Sequence, residues 1–208
     1  MSDAAELDLG PLHDYYEFEY AYEDFRAAVV EGLSQPQKRI SSKYFYDERG
    51  SKLFEQITHL PEYYPTRTET TLLRTHAAEY AELIGPHASL VEFGSGSSTK
   101  VRILLDALEA PSAYIPIDIS RDHLIESAKG IADAYPDLMV VPVVADYTQP
   151  LELPEIPHDM VRIGFFPGST IGNFSHTEAV DFLHTAASEL GTDNGLLVGV
   201  DLKKDPAI

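Results

Sequence analysis

From Ala88 onward, short apolar runs alternate with amphipathic stretches, the pattern of parallel strands joined by crossover helices. Residues 89–93, 113–117, 138–144, 161–166 and 195–200 predict five strands, with helices predicted over 98–108, 120–135 and 175–190. Ser175 followed by Glu178 is a capping-box pattern that marks the start of the last helix. Residues 148–159, rich in proline and glutamate, read as a surface loop.

Ahead of this region the periodicity is helical. Residues 25–33 read as the end of a helix closed by Ser34-Gln35-Pro36, and two more helices are predicted over 48–58 and 67–83. The segment Leu60-Pro61-Glu62-Tyr63-Tyr64-Pro65 between them has paired prolines that predict a stiff, extended, aromatic loop. The first 25 residues contain no Lys or Arg and follow neither period, so they are expected to form a loosely held acidic arm. The expected organisation is therefore an arm over 1–25, a helical segment over 26–86, and a doubly wound α/β sheet over 87–208. Ligands are expected at the carboxyl ends of the first strands.

Charge and composition narrow the partners. Thirty-four acidic against fifteen basic residues give a formal net charge of −19, which repels nucleic-acid phosphates and anionic lipid. No apolar run approaches the ~20 residues of a membrane span, and the N-terminus is acidic where a secretory signal is basic then apolar, so a cytoplasmic protein is expected. The absence of cysteine excludes disulfides, thiolate catalysis and cysteine-ligated zinc, and no metal site is expected.

The sharpest local chemistry is Val91-Glu92-Phe93-Gly94-Ser95-Gly96-Ser97-Ser98-Thr99-Lys100, a strand running into a glycine turn and a helix start. Such a turn admits a ligand close to the backbone, under the positive end of the helix. It does not match the dinucleotide fingerprint, whose third glycine would fall at Thr99. Asp118 closes the second strand, where a carboxylate can accept both hydroxyls of a ribose; Asp146 closes the third, where it can accept from an adenine amine while Tyr147 packs on the base. Either acid alone also reads as a helix cap or loop carboxylate; the three strand ends together favour a nucleoside. Glu92, just before the turn, suits the ammonium of a methionine chain and would repel a pyrophosphate, which favours S-adenosylmethionine over a dinucleotide. Lys100 can pair with the methionine carboxylate or lie solvated on the surface. Asn173, in the turn after the fourth strand, can orient a substrate or cap the next helix.

These strings resemble the histidine-specific S-adenosylmethionine-dependent methyltransferases, the family known for histidine Nα-trimethylation in ergothioneine synthesis. The resemblance runs over residues 43–207. It rests on Lys43-Tyr44-Phe45-Tyr46-Asp47 with Gly50-Ser51, on Leu60 through Glu69, on Glu92 through Lys100, on Phe166-Pro167-Gly168-Ser169-Thr170-Ile171-Gly172-Asn173, and on Gly199 through Asp205. It implies a Rossmann-like class I methyltransferase sheet. It also implies that the turn Gly94, Ser95, Gly96, together with Lys100, Asp118, Asp146 and Tyr147, holds S-adenosylmethionine, with Tyr46 close by. Tyr63, Gly168 and Asn173 would address the amino-acid substrate, Asn173 through its carboxylate.

The family's chains continue further, into a part that supplies a tyrosine for the substrate carboxylate and the glutamate and serine that read the imidazole. The sheet is accordingly expected to be C-terminally incomplete, with a last strand whose edge a partner or further chain would cover. The reaction implied is methyl transfer to the α-amine of L-histidine, with Tyr46 or Tyr63 relaying a proton. The rival expectations are a non-catalytic or partner-dependent cofactor-binding fragment, or the same transfer to another amino-acid-derived amine.

Overall fold

A computed structural model of the chain describes residues 9–18, 25–46, 48–154 and 161–204. Its centre is a wholly parallel sheet of seven strands. In chain order the elements are β1 (Tyr16–Glu17), α1 (Phe25–Ser34), α2 (Glu48–Thr58), α3 (Tyr64–Ile84), β2 (Ser89–Phe93), α4 (Thr99–Ala107), β3 (Ala113–Asp118), α5 (Arg121–Ala134), β4 (Met139–Val140), β5 (Val143–Val144), β6 (Arg162–Phe166), α6 (His176–Leu190) and β7 (Gly195–Val198). Short 3₁₀ turns occupy Ser42–Phe45 and Thr170–Asn173.

The order across the sheet is β1-β5-β3-β2-β6-β7, with β4 pairing the start of β3. From β2 the chain steps to β3 on one side and later to β6 on the other, so the order reverses at β2. The crevice that a doubly wound sheet uses for ligands opens at such a reversal, beyond the carboxyl ends of the strands.

Both faces of the sheet are covered, and its central strands read as near-continuous apolar runs for that reason. Leu90, Tyr114, Ile163 and Phe165 point to the face packed by Leu73 of α3, Val101, Leu104 and Leu105 of α4, and Ile125, Ala128 and Ile131 of α5. Val91, Phe93, Ile115, Ile117 and Phe166 point to the opposite face, against Phe182, Ala186 and Leu190 of α6. The centre of this second face is aromatic: Phe166 and Phe182 have ring centroids 4.4 Å apart, and Phe93 meets Phe182 edge-on at 5.4 Å.

Two sequence expectations are corrected. The predicted strand over 138–144 is two short strands, β4 and β5, that pair opposite ends of β3 around Val141-Pro142. Pro142 has no N–H to give the ladder, and its carbonyl accepts from Tyr16 instead. The arm, expected to be loose, is held over residues 9–18. Leu12 enters the core, His13 donates its N–H to the Val140 carbonyl at 3.2 Å, and β1 adds a parallel strand to β5. Residues 1–8 and 19–24 of the expected arm lie outside the described residues. So do residues 155–160 of the expected loop; residues 148–154 form no helix or strand, although Leu151 is buried in the core.

The third helix starts at Tyr64, earlier than predicted, because Pro65 falls in the first turn, where its missing N–H costs nothing. The last strand, β7, pairs β6 on one side and is an edge strand among the described residues.

Candidate functional site

The turn after β2 is built by backbone bonds across to β3. The N–H groups of Gly94 and Ser95 both donate to the Ile117 carbonyl, at 2.8 and 3.2 Å. Gly94 has φ +75°, where a side chain is strained, and a Cβ there would lie in ordinary contact with the Tyr147 ring, 3.4 Å away. Tyr147 thus lies against the glycine turn, its ring edge-on to Phe93 and Phe166. Burial raises its pKa, so the hydroxyl is neutral at physiological pH. Ser95 is buried, and its Oγ has no hydrogen-bond partner in the structure. A buried hydroxyl of that kind in a ligand crevice suits a polar group delivered by a ligand.

Asp118, at the end of β3, takes the Ser120 N–H at 2.9 Å on one oxygen and the Gly96 N–H at 3.4 Å on the other. Burial raises its pKa, opposed by those two backbone donors. Ser120 in turn donates its hydroxyl to the Tyr46 carbonyl at 2.6 Å, which ties the N-terminal segment to the second strand end. Asp146, beyond β5, is 9% exposed. One of its oxygens accepts from the backbone N–H and hydroxyl of Thr148, at 3.0 and 2.5 Å, and the other faces Lys43 Nζ at 3.5 Å. The glycine turn, Asp118 and Asp146 therefore stand at adjacent strand ends, β2, β3 and β5, as the sequence predicted.

Tyr46 and Tyr63 are brought together by Phe54, which meets each edge-on with centroids 5.8 Å apart. Burial raises both hydroxyl pKa values; at Tyr46 the neighbouring Tyr63 and Asp118 add to it, and at Tyr63 the carboxylates Glu69 and Asp201 do. Both tyrosines are protonated at neutral pH and act there as neutral donors and acceptors.

Lys100 lies in the first turn of α4 and donates to Glu69 of α3. Its ammonium is half-buried beside Gly168, where a Cβ would lie 3.5 Å from Nζ. The solvated-surface alternative for Lys100 is thereby removed. Gly168 adopts φ +83° and gives its N–H to both oxygens of Glu69, at 2.8 and 3.0 Å. Asn173 ends the 3₁₀ turn and is exposed. The cap of α6 is Ser175, whose hydroxyl accepts from the Glu178 N–H while the Glu178 carboxylate accepts from the Ser175 N–H. Capping is thus assigned to Ser175 and leaves Asn173 without that role.

Glu92 departs from its expected place facing a ligand. It is 1% exposed, points to the α4 face of the sheet, and accepts from the Tyr114 hydroxyl at 2.5 Å. Burial pushes its pKa up to about 8. Sequence reasoning assigned nothing to Glu69 or Lys43. Glu69 lies in one of the strings that carry the family resemblance, but its partners Lys100 and Gly168 are 31 and 99 residues away, a separation that no local pattern reveals.

The described residues hold no group of three or more acidic, His or Cys side chains disposed to bind a metal, and no helix among them is long and apolar enough to cross a membrane.

A family model described as histidine-specific methyltransferase, SAM-dependent, matches residues 25–208. The chain is similar to histidine N-alpha-methyltransferase of Mycolicibacterium smegmatis, 42% identical over 197 residues that cover 93% of this chain and 60% of that protein. The enzyme of the same name from Mycobacterium tuberculosis is 40% identical over 185 residues, covering 88% of this chain and 57% of its own length. A solved structure of a protein from Thermobifida fusca superposes with TM-score 0.51 at 17% identity over 79% of this chain and 62% of its own, a likeness of fold. The chain spans about 60% of the length of the two curated relatives. With the family model spanning nearly all of it, the chain belongs to the histidine-specific, S-adenosylmethionine-dependent methyltransferases.

Proposed function

We propose that these residues form the cofactor-binding half of an N-methyltransferase whose substrate is the α-amine of L-histidine, as in ergothioneine synthesis. The observation that carries the reading is the alignment of the Gly94–Gly96 turn, Asp118 and Asp146 at neighbouring strand ends beside the point where the sheet reverses. The fit to S-adenosylmethionine is good on chemical grounds. The turn allows close approach, Asp118 can accept from ribose hydroxyls, Asp146 from the adenine amine, and the Ser95 hydroxyl gains a partner. Lys100 addresses the methionine carboxylate, and Tyr147 closes the base side of the pocket.

The cofactor supplies a methyl group already activated on a sulfonium. The chain's contribution is position: holding a neutral amine in a near-attack pose supplies about 7–11 kcal/mol. Gly168 and Asn173, in the turn after β6 and so across β2 from the strand end that carries Asp146, are assigned with Tyr63 to the amino acid, Asn173 to its carboxylate. The third transfer gives a quaternary ammonium with no proton to lose, whereas after each of the first two the methylated amine sheds one. Tyr46 and Tyr63, neutral because burial raises their pKa values, relay that proton to water by accepting on oxygen and donating their own hydrogen.

Among the described residues the edge of β7 away from β6 is open. Titration calorimetry tests the cofactor: S-adenosylhomocysteine is expected to bind in preference to NAD, and preference for NAD overturns the reading. Mass spectrometry tests the chemistry: methyl transfer from S-adenosylmethionine to the α-amine of histidine is expected, and transfer to another amino-acid-derived amine in its place overturns the substrate.

A further inference from the structure

The carboxylate of Glu69 is held by four elements. It sits on α3, accepts from Lys100 at the start of α4, takes the Gly168 N–H on both oxygens at the turn after β6, and lies against the backbone of Gly199 just past β7. The last contact is so close that a Cβ on Gly199 would fall 1.8 Å from Glu69 Oε1. The two side chains of the ion pair retain 17% and 16% exposure, at the carboxyl end of the sheet where the crevice opens.

This arrangement changes what Lys100 can recognise. A lysine standing alone attracts any carboxylate. Paired with Glu69, it presents a site of zero net charge in which a bare carboxylate meets attraction from one partner and repulsion from the other. A ligand carrying ammonium and carboxylate on one carbon avoids that conflict: its carboxylate faces Lys100, its ammonium faces Glu69, and the four charges alternate in sign. Glu69 has the capacity for it, since a carboxylate accepts about four hydrogen bonds and Lys100 and Gly168 engage Oε2 twice and Oε1 once. Glu92, the acid that sequence pattern assigns to an ammonium, is unsuited, being buried and bonded to Tyr114.

Building on the cofactor reading above, we propose that Glu69 and Lys100 together form a preformed zwitterion reader for an α-aminocarboxylate head, with Glu69 the ammonium-binding residue. Two ligands of this chemistry meet at such a site, the methionine end of the cofactor and the amino-acid substrate, and the measurement separates them.

Calorimetry of wild type and Glu69→Gln is made with S-adenosylhomocysteine, with methylthioadenosine, which has the nucleoside but no aminocarboxylate, and with histidine in saturating S-adenosylhomocysteine. Loss of one charged hydrogen bond is expected to weaken the head-group ligand about ten- to a hundred-fold while methylthioadenosine is unchanged. A loss confined to S-adenosylhomocysteine assigns the head to the cofactor, and one confined to histidine assigns it to the substrate; either supports the reader. Unchanged binding of both ligands, or an equal loss of methylthioadenosine, overturns it and makes Glu69 a structural strut. Should Glu69→Gln fail to fold, wild type is compared on the desamino analogues of S-adenosylhomocysteine and histidine. At least tenfold weaker binding of one of them supports the proposal, and affinity equal to the parent compounds for both overturns it. A wild type that binds neither S-adenosylhomocysteine nor methylthioadenosine overturns the cofactor reading itself, whereas normal binding with no effect of Glu69→Gln overturns this inference alone.

Discussion

The Tyr114 hydroxyl donates to the Glu92 carboxylate at 2.5 Å, with both side chains almost fully removed from water beneath the glycine turn. Burial is the largest influence on Glu92, raising its pKa from 4.5 to about 8 against the lowering effects of Tyr114 and Lys100. Between those two values the folded chain binds a proton that the unfolded chain has released. The stability linked to this group is therefore full below about pH 4.5 and is lost as pH rises through about 8. Glu92→Gln removes the ionisation and keeps a carbonyl to accept from Tyr114. Relative to wild type, the variant is expected to gain on the order of a few kcal/mol between pH 5 and pH 9. Urea denaturation of both chains across that range checks it, and a pH-independent difference would show that Glu92 titrates normally.

The same pair shows where sequence pattern stops. An acid before a glycine turn is visible in a string of letters, but which face of the strand it occupies depends on pleat and register. Glu92 shares the face of Leu90, packed by α4, and there it finds Tyr114 rather than a ligand. By contrast, β2 and α2 were legible to the residue, because apolar runs and turn signals are local. The strand β1 was hidden: it is two residues long, and what fixes it is its parallel pairing with β5, where Tyr16 stands beside Val143, a partner far along the chain. The interruption between β4 and β5 was written in Pro142, whose missing N–H outweighs the β-branched residues around it.

Asp118→Ala is expected to weaken S-adenosylhomocysteine by roughly 1.5–3 kcal/mol, ten- to a hundred-fold, by removing an acceptor for the ribose. The same carboxylate holds the N–H groups of Gly96 and Ser120, so the turn loosens as well. Asp118→Asn keeps an acceptor for one of them and should recover part of the loss. Calorimetry with all three chains distinguishes the outcomes; affinity unchanged in Asp118→Ala would place the ribose elsewhere.

Ser175→Ala removes one half of the capping box of α6 and is expected to destabilise the chain by about 1 kcal/mol, lowering the melting temperature by roughly 2–4 °C. Glu178 provides an independent readout. Its pKa is lowered to about 2 by hydrogen bonds from Ser175, with Arg39 adding to the effect. Its depressed value means that the associated stability is present above about pH 4.5 and is lost as pH falls towards 2. In Ser175→Ala the Glu178 carboxyl resonance should titrate closer to its ordinary value. A carboxyl that still titrates near 2 would give the main role to the groups the substitution leaves in place, the backbone N–H of residue 175 and Arg39.

Asn173 offers the sharpest division between cofactor and substrate. It is the exposed last residue of the 3₁₀ segment after the Gly168 turn, and Ser175 already satisfies the start of α6, so capping does not fall to its amide. An amide that orients a carboxylate acts on the ligand that carries it. In a chain that turns over, Asn173→Ala should raise the KM for histidine about tenfold or more, corresponding to the loss of one hydrogen bond to a charged group. The Kd for S-adenosylhomocysteine should stay within twofold, because the contacts proposed for the cofactor come from the ends of β2, β3 and β5. Melting temperature should move little for the same reason that Ser175, and not Asn173, caps the helix. Parallel losses in KM, cofactor Kd and melting temperature would instead mean that the amide braces the turn, and that the substrate carboxylate is held by other groups.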